Sequence, residues 1–71
     1  MKVQVLTFTD VQRAALAQIA MTGRVHNEQL LRASMPGSVR LWLPIGGFYS
    51  LRYDLTDAGR VARDTGRIEA S

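Results

Sequence analysis

Arg40, Trp42 and Arg52 are the residues of this 71-residue chain whose types and spacing best suit a chemical task. A guanidinium grips phosphate oxygens with paired donors and stacks on aromatic rings, and Trp and Arg are enriched where partners anchor. Arg24 and Arg32 add cations, and Phe48 adds a second aromatic ring. That set suits binding of an anionic or protein partner. Bond-making chemistry has fewer candidates. His26 is the only histidine, and there is no cysteine for it to activate. A metal needs three or four converging ligands, which one histidine and scattered carboxylates do not supply. Asp10, Glu28, Asp54, Asp57, Asp64 and Glu69 mostly fall at expected helix starts and turns, where capping and the helix dipole account for them. Gly46-Gly47 lacks the Lys-Ser/Thr of a phosphate-binding loop and reads as a turn. The expectation is a binding protein, not an enzyme, with no metal or cofactor.

Charge and length point the same way. The net charge is +3, from eight arginines and one lysine against six acids. Residues 11–53 hold Arg13, Arg24, Arg32, Arg40 and Arg52 against Glu28 alone, so the middle is basic and the end is slightly acidic. A basic segment suits nucleic acid, although an arginine-rich solvated surface would look the same. The length fits one domain, expected over residues 1–66, with Arg67–Ser71 as a flexible tail. No run reaches the roughly 18 apolar residues of a membrane span, and the absence of cysteine implies no oxidising compartment, so the expected location is cytoplasmic.

These residues need elements to hold them. Lys2–Val5 alternates and predicts a short strand. Thr9 and Gln12 are spaced as a capping box, which predicts a helix from Asp10 to Thr22 stopped by Gly23. Val11, Ala15, Leu16, Ile19 and Ala20 form its inward stripe, with Arg13 and Gln18 outside. Asn27 can cap a second helix, Glu28–Ser34, ended by Pro36-Gly37. Thr56 caps a further helix, Asp57–Thr65, with Ala58, Val61 and Ala62 inward and Gly66 as its stop.

Between the helices, Val39–Leu43 and Tyr49–Leu55 alternate around Gly46-Gly47 and predict a hairpin. A three-residue loop, Ile45-Gly46-Gly47, pairs Leu43 with Tyr49, Leu41 with Leu51 and Val39 with Tyr53. It gathers Val39, Leu41, Leu43, Tyr49, Leu51 and Tyr53 on one face, with Gly47 left-handed. The outer face then carries Arg40 opposite Arg52, Trp42 opposite Ser50, and Asp54 diagonal to Arg40. Trp42 could hold Arg52 by a cation–π contact, or be covered by the first strand or the tail.

Tyr53-Asp54-Leu55-Thr56-Asp57-Ala58-Gly59-Arg60 resembles the end of the wing in winged helix-turn-helix regulators, where a Tyr-x-Leu-Thr-x-x-Gly-Arg segment enters a helix. Thr22–Leu31 is similar to the link between their first two helices. The resemblance implies an α+β winged-helix-like domain in which the Thr caps the helix and the Gly permits close packing. It also implies transcription regulation through DNA binding, normally by a recognition helix in the major groove. Here only Met35–Ser38 separates the expected second helix from the hairpin, leaving no room for that helix. The wing face and its neighbours become the expected contact surface: Arg24, Arg32, Arg40, Trp42, Phe48 and Arg52. The partner would be nucleic-acid phosphate. The alternative is a host protein bound in the manner of phage- or plasmid-encoded inhibitors, with RNA polymerase first and a CRISPR-type defence nuclease complex second.

Overall fold

The computed structural model describes residues 4–26, 40–46 and 52–70. Its elements in chain order are β1 (Gln4–Thr7), α1 (Asp10–Thr22), β2 (Trp42–Ile45), β3 (Arg52–Leu55), α2 (Asp57–Thr65) and β4 (Arg67–Ala70). The described residues form an α+β fold of two helices and two antiparallel two-stranded sheets, β1–β4 and β2–β3. The expected helix Glu28–Ser34, its Pro36-Gly37 stop, Arg32, and the hairpin tip with Gly47 and Phe48 lie outside the described residues.

Both described helices start and stop where their caps place them. The Thr9 side chain accepts from the Gln12 backbone N–H at 3.2 Å, and the Gln12 side chain accepts from the Thr9 backbone N–H at 2.9 Å. The Thr56 hydroxyl accepts from the Gly59 N–H at 3.2 Å. Gly23 and Gly66 close α1 and α2 with φ of 69° and 74°, the left-handed conformation that glycine adopts without a Cβ clash.

The core joins both sheets and both helices: Leu6, Phe8, Ala15, Leu16, Ile19, Leu41, Leu55, Ala62 and Ile68. Leu16, Ile19 and Leu41 are fully buried, and each such side chain contributes roughly 1.5–3 kcal/mol through burial. The inward stripe of α1 is narrower than expected. Ala15, Leu16 and Ile19 are buried, whereas Val11 and Ala20 are exposed. Residues 67–70 are not a free tail. They pair with β1, Leu6 opposite Ile68 and Thr7 opposite Arg67, and Phe8 N–H extends the ladder to the Gly66 carbonyl at 2.9 Å. Ile68 is the reason: it is 6% exposed, so the segment carries one apolar side chain to bury.

The hairpin register also differs. Trp42 lies opposite Leu55, Leu43 opposite Asp54, Pro44 opposite Tyr53 and Ile45 opposite Arg52. Ile45, expected in the loop, belongs to β2, and the described partners of Leu43 and Tyr53 are Asp54 and Pro44, not the expected ones; Val39, Tyr49 and Leu51 lie outside the described residues. Pro44 helps explain the shift. The Tyr53 N–H points away from β2, to the Gly23 carbonyl at 2.9 Å. Pro44 therefore occupies a position across which no ladder bond is exchanged, where a residue without an N–H is tolerated. The expectation also assumed one covered face. At this end of the hairpin neighbouring residues are both covered: Leu41 is buried in the core, with its carbonyl against Gly59 of α2, and Trp42 packs on the same core beside Leu55.

Gly59 makes that contact with α2 possible. A Cβ there would lie directly on the Leu41 carbonyl oxygen, 3.0 Å from the Leu41 carbonyl carbon and 3.3 Å from Leu55 Cβ. The same carbonyl accepts from the Thr56 N–H at 3.2 Å, and the Thr56 hydroxyl donates to the Arg40 carbonyl at 2.7 Å. Helix α2 thus sits backbone-to-backbone on the strand, on its Ala58, Gly59 and Ala62 side. That rotation leaves Val61, expected inward, 47% exposed. Gly59→Ala is expected to destabilise the domain by about 1–3 kcal/mol, although alanine favours a helix interior by about 1 kcal/mol. Urea denaturation checks this; an equal or higher midpoint would rule out the close approach.

Candidate nucleic-acid interface

The structure sorts the arginines into committed and uncommitted groups. Arg13, expected on the outside of α1, is half-buried. Its Nε and Nη2 donate to the Arg63 carbonyl at 3.3 and 3.1 Å, and Nη2 also reaches the Asp64 carbonyl at 3.2 Å. It satisfies orphan carbonyls at the negative end of α2. Arg60 pairs with Asp57 at 3.1 Å and with Asp54 at 3.5 Å, and Arg63 pairs with Asp64 at 2.8 Å. The hydrogen bond from Arg63 holds the Asp64 carboxyl below the ordinary carboxylate range, and Asp64 raises the Arg63 guanidinium in turn. Among the described residues, Arg24, Arg40, Arg52 and Arg67 are exposed and form no ion pair.

The expected outer face of Arg40, Trp42 and Arg52 does not assemble. Arg52 lies opposite Ile45, and Arg40 precedes β2. Arg40 therefore lies beyond the end of the ladder, which runs from Trp42 to Ile45. Trp42 and Ile45 are three positions apart, so Trp42 and Arg52 fall on opposite faces of the ladder, against a cation–π contact between them. Trp42 is half-buried against the core, on the face of Tyr53 and Leu55. Asp54, expected diagonal to Arg40, lies opposite Leu43 and engages Arg60.

Two expected site residues are nevertheless brought together. Tyr53 N–H bonds the Gly23 carbonyl, so Arg52 and Arg24 flank one junction between α1 and β3. Sequence reasoning did not anticipate this junction, and the sign available was the glycine, read only as a helix stop. Arg67 was also missed, because its segment was read as a tail. On the other sheet, Val5, Val61, Thr65, Arg67, Ile68 and Glu69 line an open groove that continues past Ala58. Among the described residues no group of three His, Asp or Glu side chains could hold a metal ion. No helix there is long and apolar enough to cross a membrane.

Two expectations follow from these placements. Trp42→Ala is expected to destabilise the domain by about 2 kcal/mol, below the cost of emptying a fully buried aromatic site. Arg40→Ala and Arg52→Ala should stay within about 0.5 kcal/mol of the parent. An unchanged unfolding midpoint for Trp42→Ala would place the indole off the core. The Asp64 carboxyl should titrate below the ordinary aspartate range in a carbon-detected NMR titration, and return to it in Arg63→Ala. Because the folded-state pKa is the lower one, the pair stabilises the fold above the unfolded-state pKa. That contribution is lost as pH falls through the folded-state value.

No family model, curated protein or solved structure matches the chain, so a functional reading has to stand on the residues and their geometry.

Proposed function

We propose that this chain is a small, non-enzymatic transcription regulator that binds nucleic-acid phosphates in the cytoplasm, on a reduced winged-helix-like fold whose wing is β2–β3. The observation that carries the reading is the sorting of the arginines. Asp54, Asp57 and Asp64 are spent on Arg60 or Arg63, while among the described residues Arg24, Arg40 and Arg52, at α1's end and along the hairpin, form no ion pair. Exposed guanidiniums without carboxylates are suited to phosphate oxygens. The wing assignment is supported by Thr56, which caps α2, and by Gly59, which lets the helix rest on the strand. Both are the roles that the resembling motif implies.

A second reading has one observation in its favour. Val5 and Val61 stay 55% and 47% exposed beside the groove along β4, which suits a protein partner such as a host RNA polymerase or a CRISPR-type nuclease complex.

Fluorescence anisotropy with a labelled random-sequence duplex separates the two. Contacts by Arg24, Arg40 and Arg52 to at least two phosphates predict a log–log salt slope of about −1.8 or steeper, roughly a 12-fold loss of affinity between 50 and 200 mM salt. Absence of binding at the lowest salt, with purified polymerase retained by immobilised protein, would replace the first reading by the second.

A further inference from the structure

We propose that Arg24 and Arg52 form a two-guanidinium clamp for the nucleic-acid phosphodiester backbone, built where the C-terminal end of α1 is tied to the start of β3. The clamp rests on the nucleic-acid reading above and narrows it from a basic surface to one site.

The tie is the bond from the Tyr53 N–H to the Gly23 carbonyl at 2.9 Å. It places the residue before Tyr53 and the residue after Gly23 at the same junction. A Cβ on Gly23 would stand 3.4 Å from Arg52 Cβ and 3.6 Å from Arg52 Cδ. The Arg52 stem therefore lies across Gly23, beside Arg24. Gly23 has φ of 69°, so one glycine both ends α1 and leaves room for that stem. The Arg24 backbone is fixed as well: its N–H donates to the Thr22 hydroxyl at 3.1 Å.

Neither charge is consumed. Among the described residues, neither guanidinium makes an ion pair or donates a hydrogen bond. Nearby carbonyls at the end of α1 already have other donors. Ile19 accepts from the Gly23 N–H at 2.9 Å, Gln18 from the Thr22 hydroxyl at 2.9 Å, and Gly23 from Tyr53. Two cations held at one junction repel each other unless an anion lies between them. A phosphate relieves that repulsion and accepts from both planar donor sets. Arg40 lies beyond the opposite end of the β2–β3 ladder from Arg52 and makes a separate contact.

The test is the salt dependence of duplex binding by anisotropy, using the full chain and a short random-sequence duplex. Arg24→Ala/Arg52→Ala removes the contact to one shared phosphate and should reduce the slope by about 0.9, which shrinks the affinity loss between roughly 50 and 200 mM salt about 3.5-fold; a reduction of about 1.8 would mean two separate phosphates and would overturn the clamp. Arg67→Ala removes the same charge from the β1–β4 sheet and should leave the slope unchanged. Arg24→Lys/Arg52→Lys should keep the slope and lose affinity several-fold, since the charge remains and the planar fork does not. Equal slope changes for Arg67→Ala and for Arg24→Ala or Arg52→Ala would overturn the clamp, because binding would then follow net charge alone. A parental slope in the alanine double variant, or a lost slope in the lysine double variant, would overturn it too. In each of those cases the nucleic-acid reading survives. A parent chain that binds no duplex at the lowest salt removes that reading and the clamp with it.

Discussion

The Leu41 carbonyl is the point on which the described structure turns. It accepts the Thr56 N–H and lies against the bare Cα of Gly59, so helix α2 meets the hairpin through main chain on both sides. Side-chain packing tolerates some repacking, but backbone against backbone does not, because neither partner has a rotamer to change. From that contact the rest follows. The approach fixes which side of α2 faces in, which buries Ala62 and turns Val61 out. It also sets the height at which β4 leaves Gly66, with the Arg13 stem lying across that glycine.

How much of this could be read from the residues depended on the range of the interaction. The helix ends were legible because a cap is a local device. Thr9 with Gln12, Thr56, Gly23 and Gly66 each carry their meaning within about four residues. The hairpin register was misread because alternation fixes a face only where one face is buried. Here Leu41 and Trp42, neighbours in sequence, are both covered, which no alternation pattern expresses. Strand β4 was missed for a related reason. Its buried Ile68 gains meaning only beside Leu6, which is far away in the chain. The site was partly legible: Arg24, Arg40 and Arg52 are exposed cations as expected, but their grouping depended on the register. Trp42, which the sequence left open between an outer anchor and a covered ring, belongs to the packing.

The sorting of arginines gives the surface a division that net charge hides. Arg13 serves the end of α2, and Arg60 and Arg63 balance neighbouring carboxylates. Their removal would alter the fold or local charge balance before it altered binding. Arg24, Arg40 and Arg52 serve nothing within the described residues. A residue that costs side-chain entropy to place in contact, and is given no internal partner, is free to spend its donors on another molecule.

The sheet of β1 and β4 joins segments from opposite parts of the chain, Gln4 lying opposite Ala70. During synthesis β1 is made first among these elements and β4 last. Leu6 and Phe8 must therefore wait for Ile68 while helix α1, with its local caps, can already form. The closing step is a long-range one, whose loop entropy must be overcome before its contacts stabilise anything. The nascent chain thus carries an unpaired apolar strand until translation has passed Ile68, and that interval is when it is most open to capture by a chaperone or to aggregation.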